Sequence, residues 1–343
     1  MVAKGTCPFA EGFVIVKPAA LIGYRRIMEF AIETKGLSKR SSSQKTNFAI
    51  EKIDLAIPRG ILFGLVGPDG AGKTTTLRIL SSVMEQSSGQ VTIDGFDVRR
   101  QEEEIRTRIG YMPQNFSLYP DLSVSENLDF FANIQQVPAR DREERIATML
   151  AFTHLEEFGD RRAGQLSGGM KKKLALACAM VHAPQVLILD EPSTGVDPVS
   201  RREFWILLAR AVSQGVTVVV STPYMDEAER CHQVGILYQG RLLTTGSPEE
   251  ITAKLPFEVV EVNARPRKKM RQIVSEMNGI LEWHPVGDSL RLAVSGEEST
   301  KKVMKKLANE FAANKMEVLT LRPARRTMED AFVHLLRSQK ELY

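Results

Sequence analysis

Apolar and polar positions follow two rhythms along this chain. The run "FAIEKIDLAI" (48–57) alternates them with the period of two that a half-buried strand requires. "MEFAIET", beginning at Met28, reads the same way, and "VTIDGFDV" carries an Asp-Gly pair of the kind that turns a hairpin. Three further runs, "ILFGLV", "VLILD" (186–190) and "VTVVVS" (216–221), are apolar without interruption, as strands covered on both faces must be. Helical patterns separate them. In "GMKKKLALACAMV", Met170, Leu174, Ala177, Cys178 and Val181 fall on one helical face. Buried strands alternating with helices predict an α/β fold around a parallel sheet.

Two stretches depart from that alternation. Residues 115–165 turn polar and helical, in "SVSENLDFFANIQ" and "REERIATMLAFTHL", and Ser123 with Glu126 has the spacing of a capping box. They read as a helical insertion. From about residue 256 the pattern restarts: "FEVVEV" as a strand, then "RKKMRQIVSEM" with Met270, Ile273, Val274 and Met277 on one stripe. "SLRLAV", a helical "EESTKKVMKKLANEF" and a strand in "KMEVLTL" follow. A βαββαβ order predicts a small ferredoxin-like α+β domain over 256–343, with a final helix after Thr327. Residues 1–27 have no periodicity and read as an N-terminal extension before a main domain at 28–255.

Composition narrows the picture only a little. The 343 residues are 43% apolar and 26% charged, ordinary for a globular protein, and a net charge of +4 argues for no particular polyanion. Cys7, Cys178 and Cys231 are far apart and lack metal spacing, so packed, reduced thiols are expected. The five histidines have no metal-ligand spacing either. No apolar run approaches the roughly 18 residues that cross a bilayer, so any membrane role is expected to come through a partner. "RPRKKMR" (265–271) lacks interleaved aromatics and reads as a helix with a solvated basic face; no nucleic-acid partner is expected.

The chemistry concentrates at two strand ends. "GPDGAGKT" (67–74) fits the pattern of a phosphate-binding loop and lies between the buried "ILFGLV" and the helical "TTTLRIL", the setting that pattern needs. Its glycines allow backbone N–H groups to close round phosphate oxygens. Lys73 is placed to reach the β- and γ-phosphates, and the Thr74 hydroxyl to meet Mg²⁺. "VLILDE" delivers Asp190 and Glu191 at a strand's carboxyl end, where open α/β sheets bind ligands. Asp190 suits a Mg²⁺ site, and Glu191 is placed to orient or deprotonate a water. A second glycine pair, in "LSGGMKKKLALA" (166–177), sits at the mouth of a helix.

"LSGGM" shortly before "LILDEPSTGVD" resembles the signature of the ABC ATPases, over residues 28 to about 250. The resemblance implies a P-loop NTPase with a parallel sheet core, an antiparallel β subdomain and a helical subdomain. The Walker A segment is then Gly67, Pro68, Asp69, Gly70, Ala71, Gly72, Lys73, Thr74 and Thr75. Gln114 in "YMPQ" matches the Q-loop glutamine, a contact to the metal and the reacting water. Asp190 matches the Walker B aspartate and Glu191 its catalytic glutamate. Ser167, Gly168 and Gly169 match the signature, with Met170 where many members have glutamine, and Asp197 ends the D-loop. In that family two nucleotide domains pair head to tail, so Ser167 and Gly169 would serve a neighbour's ATP in a homodimer or heterodimer. "NFSLYPDLSVSENLDFF" resembles the segment that receives integral membrane permease subunits. "GRLLTTGSPEEI" and "TMEDAFVHLL" are similar to bacterial drug- and polymer-export ATPases. The implied protein is cytoplasmic, peripheral on the inner face of the cell membrane, and powers export with ATP and Mg²⁺.

Two departures matter. The family places a histidine where this chain has Pro223, in "STPYMDEAER", and proline has neither a side-chain donor nor a backbone N–H. Slow hydrolysis is the first expectation. The alternative is a regulatory subunit that does not hydrolyse ATP and pairs with a different nucleotide-binding subunit. The adenine-stacking aromatic is displaced by "SSSQKTN", leaving Phe48 as the nearest candidate or else a core strand residue. A DNA-repair ATPase of the SMC type would separate Walker A from the signature by a long coiled coil. A translation-associated relative would carry two nucleotide domains; only one is present here.

Overall fold

The computed structural model describes residues 29–41, 48–115, 118–296 and 299–340, of which 338–340 by backbone alone. The extension expected over 1–27, with Cys7, and most of "SSSQKTN" lie outside the described residues. The described residues fall into two compact units, one drawn from 29–39, 52–62 and 74–220 and the other from 40–51, 63–73 and 221–340.

The alternating runs form β1 (Phe30–Arg40) and β2 (Phe48–Pro58); β3 (Leu62–Val66) follows, every residue of it buried. After α1 (Lys73–Leu80) come β4 (Ser88–Ile93) and β5 (Phe96–Asp97). Asp94 and Gly95 join those two strands with φ of 54° and 85°, the paired positive values that match a hairpin's twist. These strands make an antiparallel sheet in the order β2-β1-β4-β5.

α2 (Glu102–Arg106) leads into β6 (Ile109–Met112), and the helical stretch contains α3 (Val124–Ile134) and α4 (Ala139–Thr153). α3 begins with the expected capping box, Ser123 and Glu126 each accepting from the other's backbone N–H. Such caps contribute about 1 kcal/mol. α5 (Gly168–Met180) departs from the narrow stripe read from its sequence: every residue from Leu174 to Val181 is buried. Its alanines let neighbours approach on all sides. A Cβ on Gly110 of β6 would lie 2.1 Å from the Ala179 carbonyl oxygen.

β7 (Val186–Asp190), α6 (Pro198–Ser213), β8 (Thr217–Thr222), α7 (Met225–Ala228), β9 (Gln233–Tyr238), β10 (Arg241–Gly246) and α8 (Pro248–Ala253) complete this part. The six-stranded sheet has the order β10-β9-β3-β8-β7-β6. β3 pairs with β9 and β6 with β7 in parallel, while β10 closes the edge antiparallel. The carboxyl ends of β3, β7 and β8 deliver Gly67, Asp190 and Thr222.

The remaining strands are β11 (Phe257–Arg265), β12 (Ile280–Val286), β13 (Ser289–Ser295) and β14 (Glu317–Ala324), with α9 (Arg267–Glu276) and α10 (Thr300–Ala313) between them. The order β12-β13-β11-β14, antiparallel throughout, is the ferredoxin-like arrangement. Val260, Val262, Leu290 and Leu292 of the sheet pack against Met270 and Val274 of α9 and Val303, Leu307 and Phe311 of α10. Arg267, Lys268, Lys269 and Arg271 are exposed, so the basic run is a solvated helix face over an apolar stripe. β12 is the strand that the predicted βαββαβ order places before β13, although Glu282, His284 and Pro285 interrupt its apolar alternation.

α11 (Met328–Lys340) ends the described chain. Asp330 in its first turn is 3% exposed and accepts from Arg291 Nε and Nη2 at 2.9 and 2.8 Å, and from the Thr327 N–H and hydroxyl at 2.7 and 2.8 Å. Burial alone would raise its carboxyl; the Arg291 and Thr327 hydrogen bonds together outweigh that and hold it below the usual range. Cys178 and Cys231 are buried free thiols, and burial pushes Cys231 up to about 12. Among the described residues no helix is long and apolar enough to cross a membrane.

Candidate nucleotide site

The loop after β3 is shaped by glycines that serve different needs. Gly70 and Gly72 have φ of 77° and 103°, which other residues rarely adopt. Gly67 is needed for room: a Cβ there would sit 2.1 Å from the Leu237 carbonyl oxygen. A bond from the Ala71 N–H to the Pro68 carbonyl (3.2 Å) tightens the turn, and the Gly240 N–H holds the Ala71 carbonyl at 3.0 Å. Lys73 is 3% exposed and folds back into the loop, donating to the carbonyls of Gly67 (2.8 Å) and Pro68 (3.0 Å). Asp69 stands exposed 3.9 Å from that ammonium. Thr75 is half-buried in the first turn of α1.

A second group gathers at the end of β7. The Thr74 hydroxyl donates to Asp190 Oδ1 at 3.2 Å. Asp190 is 1% exposed and Glu191 6%. Glu191 takes φ of 47°, a left-handed conformation that costs a non-glycine residue about 1 kcal/mol or more. The Gln114 side-chain amide donates to Glu191 Oε2 at 3.1 Å, and the Thr194 hydroxyl reaches the same oxygen at 3.4 Å. Behind Gln114, Lys172 Nζ donates to its backbone carbonyl at 3.4 Å. Burial pushes the Lys172 ammonium down, and the Glu191 and Asp190 carboxylates partly oppose that. Burial, then the Asp190 charge, raise the Tyr111 hydroxyl. A carboxylate and a hydroxyl side by side are hard oxygen donors, so Thr74 and Asp190 fit Mg²⁺.

The signature residues lie at the start of α5. Ser167 caps it, its hydroxyl accepting from the Met170 N–H at 3.3 Å. Gly169 is buried, and a Cβ on it would come within 2.4 Å of Ser200 Oγ. Asp197 caps α6 by accepting from Val199 and Ser200 N–H at 3.1 and 3.0 Å; hydrogen bonds from Ser200 first of all keep its carboxyl below the usual range. Gly168 differs from both neighbours. It is exposed, its φ is not positive, and a Cβ on it would meet nothing within 4 Å.

Two placements qualify the sequence reading. Pro223 follows Thr222, whose hydroxyl bonds to Glu227 and accepts from the Tyr224 N–H at 3.1 Å; the turn is fastened through its neighbours. Phe48 opens β2 at 42% exposure. Thr194 and Lys172 were not singled out by sequence: one hides inside "STGVD", the other in a lysine run that reads as a solvated face. Gln114 and Lys172 also line a groove of about 490 Å³ with Asn115, Pro120, Gly164 and Lys171.

A phosphate loop after a buried strand, with an acidic pair at a parallel strand's end, defines a nucleotide-binding protein of the P-loop class. The sequence model of the family described as "ABC transporter" matches residues 50–194. The probable multidrug ABC transporter ATP-binding protein YbhF of Escherichia coli is 37% identical over 307 residues, covering 89% of this chain and 52% of YbhF. The chain thus spans about half the length of that relative. The daunorubicin resistance ATP-binding protein DrrA2 of Streptomyces coeruleorubidus is 31% identical over 308 residues, covering 89% of this chain and 95% of DrrA2. Among solved structures, the ATP-binding cassette MJ0796, a dimer in a post-hydrolysis state bound to ADP and Pi, superposes with a TM-score of 0.58. It is 26% identical and covers 63% of this chain and 98% of its own. This chain belongs to the ABC transporter family, whose ATP-binding subunits it resembles over most of its length.

Proposed function

We propose that the chain is the ATP-binding and ATP-hydrolysing subunit of an exporter, working as a nucleotide-bridged pair beneath separate integral membrane permease subunits. The observation that carries hydrolysis is the convergence of Thr74, Asp190, Glu191 and Gln114. Gly67–Thr75 holds the phosphates, with Lys73 turning from its loop carbonyls to the β- and γ-oxygens. Thr74, Asp190 and Gln114 hold Mg²⁺, which when bound offsets charge on the phosphate oxygens. Glu191 accepts the proton of the attacking water while Gln114 and Thr194 fix its carboxylate.

Pairing is supported by Gly168. Nothing among the described residues needs a glycine there, so the bare backbone is best explained by a ligand that arrives from outside. Ser167 and Gly169 beside it would then grip the partner's ATP, with Asp197 completing the contact. The 490 Å³ groove beside Gln114 receives the permease. Export, an inner-face location and a cassette at 28–255 followed by a small domain at 256–343 complete the proposal; relatives named for multidrug handling and daunorubicin resistance support its direction.

Pro223 favours a specific second reading, a regulatory subunit that binds ATP without hydrolysing it beside a different nucleotide-binding subunit. Phosphate release by the purified chain and by Glu191→Gln decides between them. A slow turnover abolished by Glu191→Gln supports hydrolysis; equal rates for the two proteins support the regulatory reading.

A further inference from the structure

Three consecutive lysines, Lys171, Lys172 and Lys173, leave the first turns of α5 in three directions. Lys171 is exposed. Lys173 pairs with Glu203 of α6 at 2.6 Å, a contact that holds helix to helix. Lys172 alone turns toward the nucleotide chemistry, where its ammonium donates to the Gln114 carbonyl. Gln114 is therefore held at both ends: its backbone oxygen by α5, and its side-chain amide on Glu191 at 3.1 Å. Gln114 and Asn115 are exposed and follow the last residue of β6 by two and three positions.

We infer that Lys172 is a positioning residue for hydrolysis: its bond to the Gln114 backbone holds the Gln114 amide on Glu191 and ties the helix that begins with the signature turn to the carboxylate that works on water. The inference rests on the hydrolysis reading above. The Lys172 ammonium reaches the Gln114 backbone, so it acts through Gln114. A residue anchored at one end swings about that end, and an ångström of drift in a group that orients a base is enough to slow a reaction substantially. The electrostatics agree with the geometry. The half-buried ammonium interacts with the charges of Glu191 and Asp190, so it also offsets part of their negative charge.

The test measures phosphate release from the full chain with Mg²⁺ and ATP for wild type, Lys172→Met, Lys172→Arg and Glu191→Gln. ATP affinity is followed with a fluorescent nucleotide and folding by Tm. Lys172→Met is expected to lower kcat by about ten- to a hundredfold, with KM for ATP and Tm close to wild type. Lys172→Arg, whose guanidinium reaches the same carbonyl, is expected to restore most of the rate. A kcat for Lys172→Met within about twofold of wild type, while Glu191→Gln abolishes turnover, overturns this inference and leaves the hydrolysis reading standing. Loss of kcat together with Tm or ATP affinity, without rescue by arginine, also overturns it, because the lysine would then be structural. A rate that Glu191→Gln does not lower overturns the hydrolysis reading and this inference with it.

Discussion

Two regions of the chain follow local backbone preference to very different degrees. At the nucleotide end, Gly70, Gly72 and Glu191 all take positive φ, Lys73 buries its ammonium among carbonyls, and Asp190 lies almost without solvent. From Phe257 to Ala324, Lys315 is the only described non-glycine residue with positive φ, and it merely ends a helix. The core there is an amphipathic sheet under two amphipathic helices, with Val, Leu, Met and Phe where the pattern places them. The β11–β14 region is therefore what local preference and burial produce unaided. Glu191, just past the end of β7, holds a conformation that local preference resists, and such strain persists only where surrounding structure enforces it. Polar side chains appear in both regions but do different work. Arg291 and Asp330 pair with each other, with Thr327 adding two bonds to the carboxylate, and fasten α11, whereas Glu191 is oriented by its neighbours and aimed at a reaction.

If that contrast is sound, substitutions at the nucleotide end change rate with little effect on folding, and those in the small region do the reverse. Glu191→Gln is expected to have the largest effect, lowering kcat by about a hundredfold or more while Tm stays near wild type. An ATP-dependent dimer should then persist in size-exclusion chromatography, because binding is kept and turnover is lost. Asp330→Ala comes next. It leaves Arg291 with a buried charge and should destabilise the α11 attachment by about 3 kcal/mol, read as a lower midpoint in urea. If kcat of the folded fraction fell as well, the two regions would not be separable. A route for that exists, since the Met328 N–H donates to Glu229 Oε1 just beyond α7, which follows Pro223 closely.

Smaller effects sharpen the contrast. The Asp330 carboxyl is held below its ordinary 3.8, so its stabilising contribution is complete above that value and lost as pH falls through the lower folded value. Urea midpoints measured through that acid range should fall more steeply for wild type than for Asp330→Asn, which has no proton to take up there. Pro223→His should raise kcat modestly and leave Tm near wild type, because Thr222 and Glu227 fasten the turn without help from the ring. No gain in rate would mean that the missing histidine is not what limits turnover.

Much of this architecture is legible from the chain because strand and helix periods differ. Leu62–Val66, 186–189 and 218–220 are runs with no polar interruption, and they lie in fully buried strands of the six-stranded sheet. The phosphate loop is equally legible, because Gly67, Gly70 and Gly72 fall within one short stretch and their spacing is itself the constraint. β12 is legible only through the βαββαβ order, since Glu282, His284 and Pro285 break its apolar run and its place is fixed by pairing with β13. The stripe read on α5 was too narrow for the same reason: burial all round from Leu174 to Val181 depends on neighbours remote in sequence.

The sequence by itself determined the order of elements, the loop at Gly67–Thr75, the acidic strand end and the signature turn, since each is written in adjacent residues whose sterics and hydrogen bonding are local. Only the tertiary structure decided that Gln114 meets Glu191 from 77 residues away, that Lys172 holds Gln114 from behind, and that Gly169 is required by Ser200 while Gly168 is required by none of the described residues. Those distinctions depend on which distant backbones come within a few ångströms of one another, and packing, unlike periodicity, leaves no local trace.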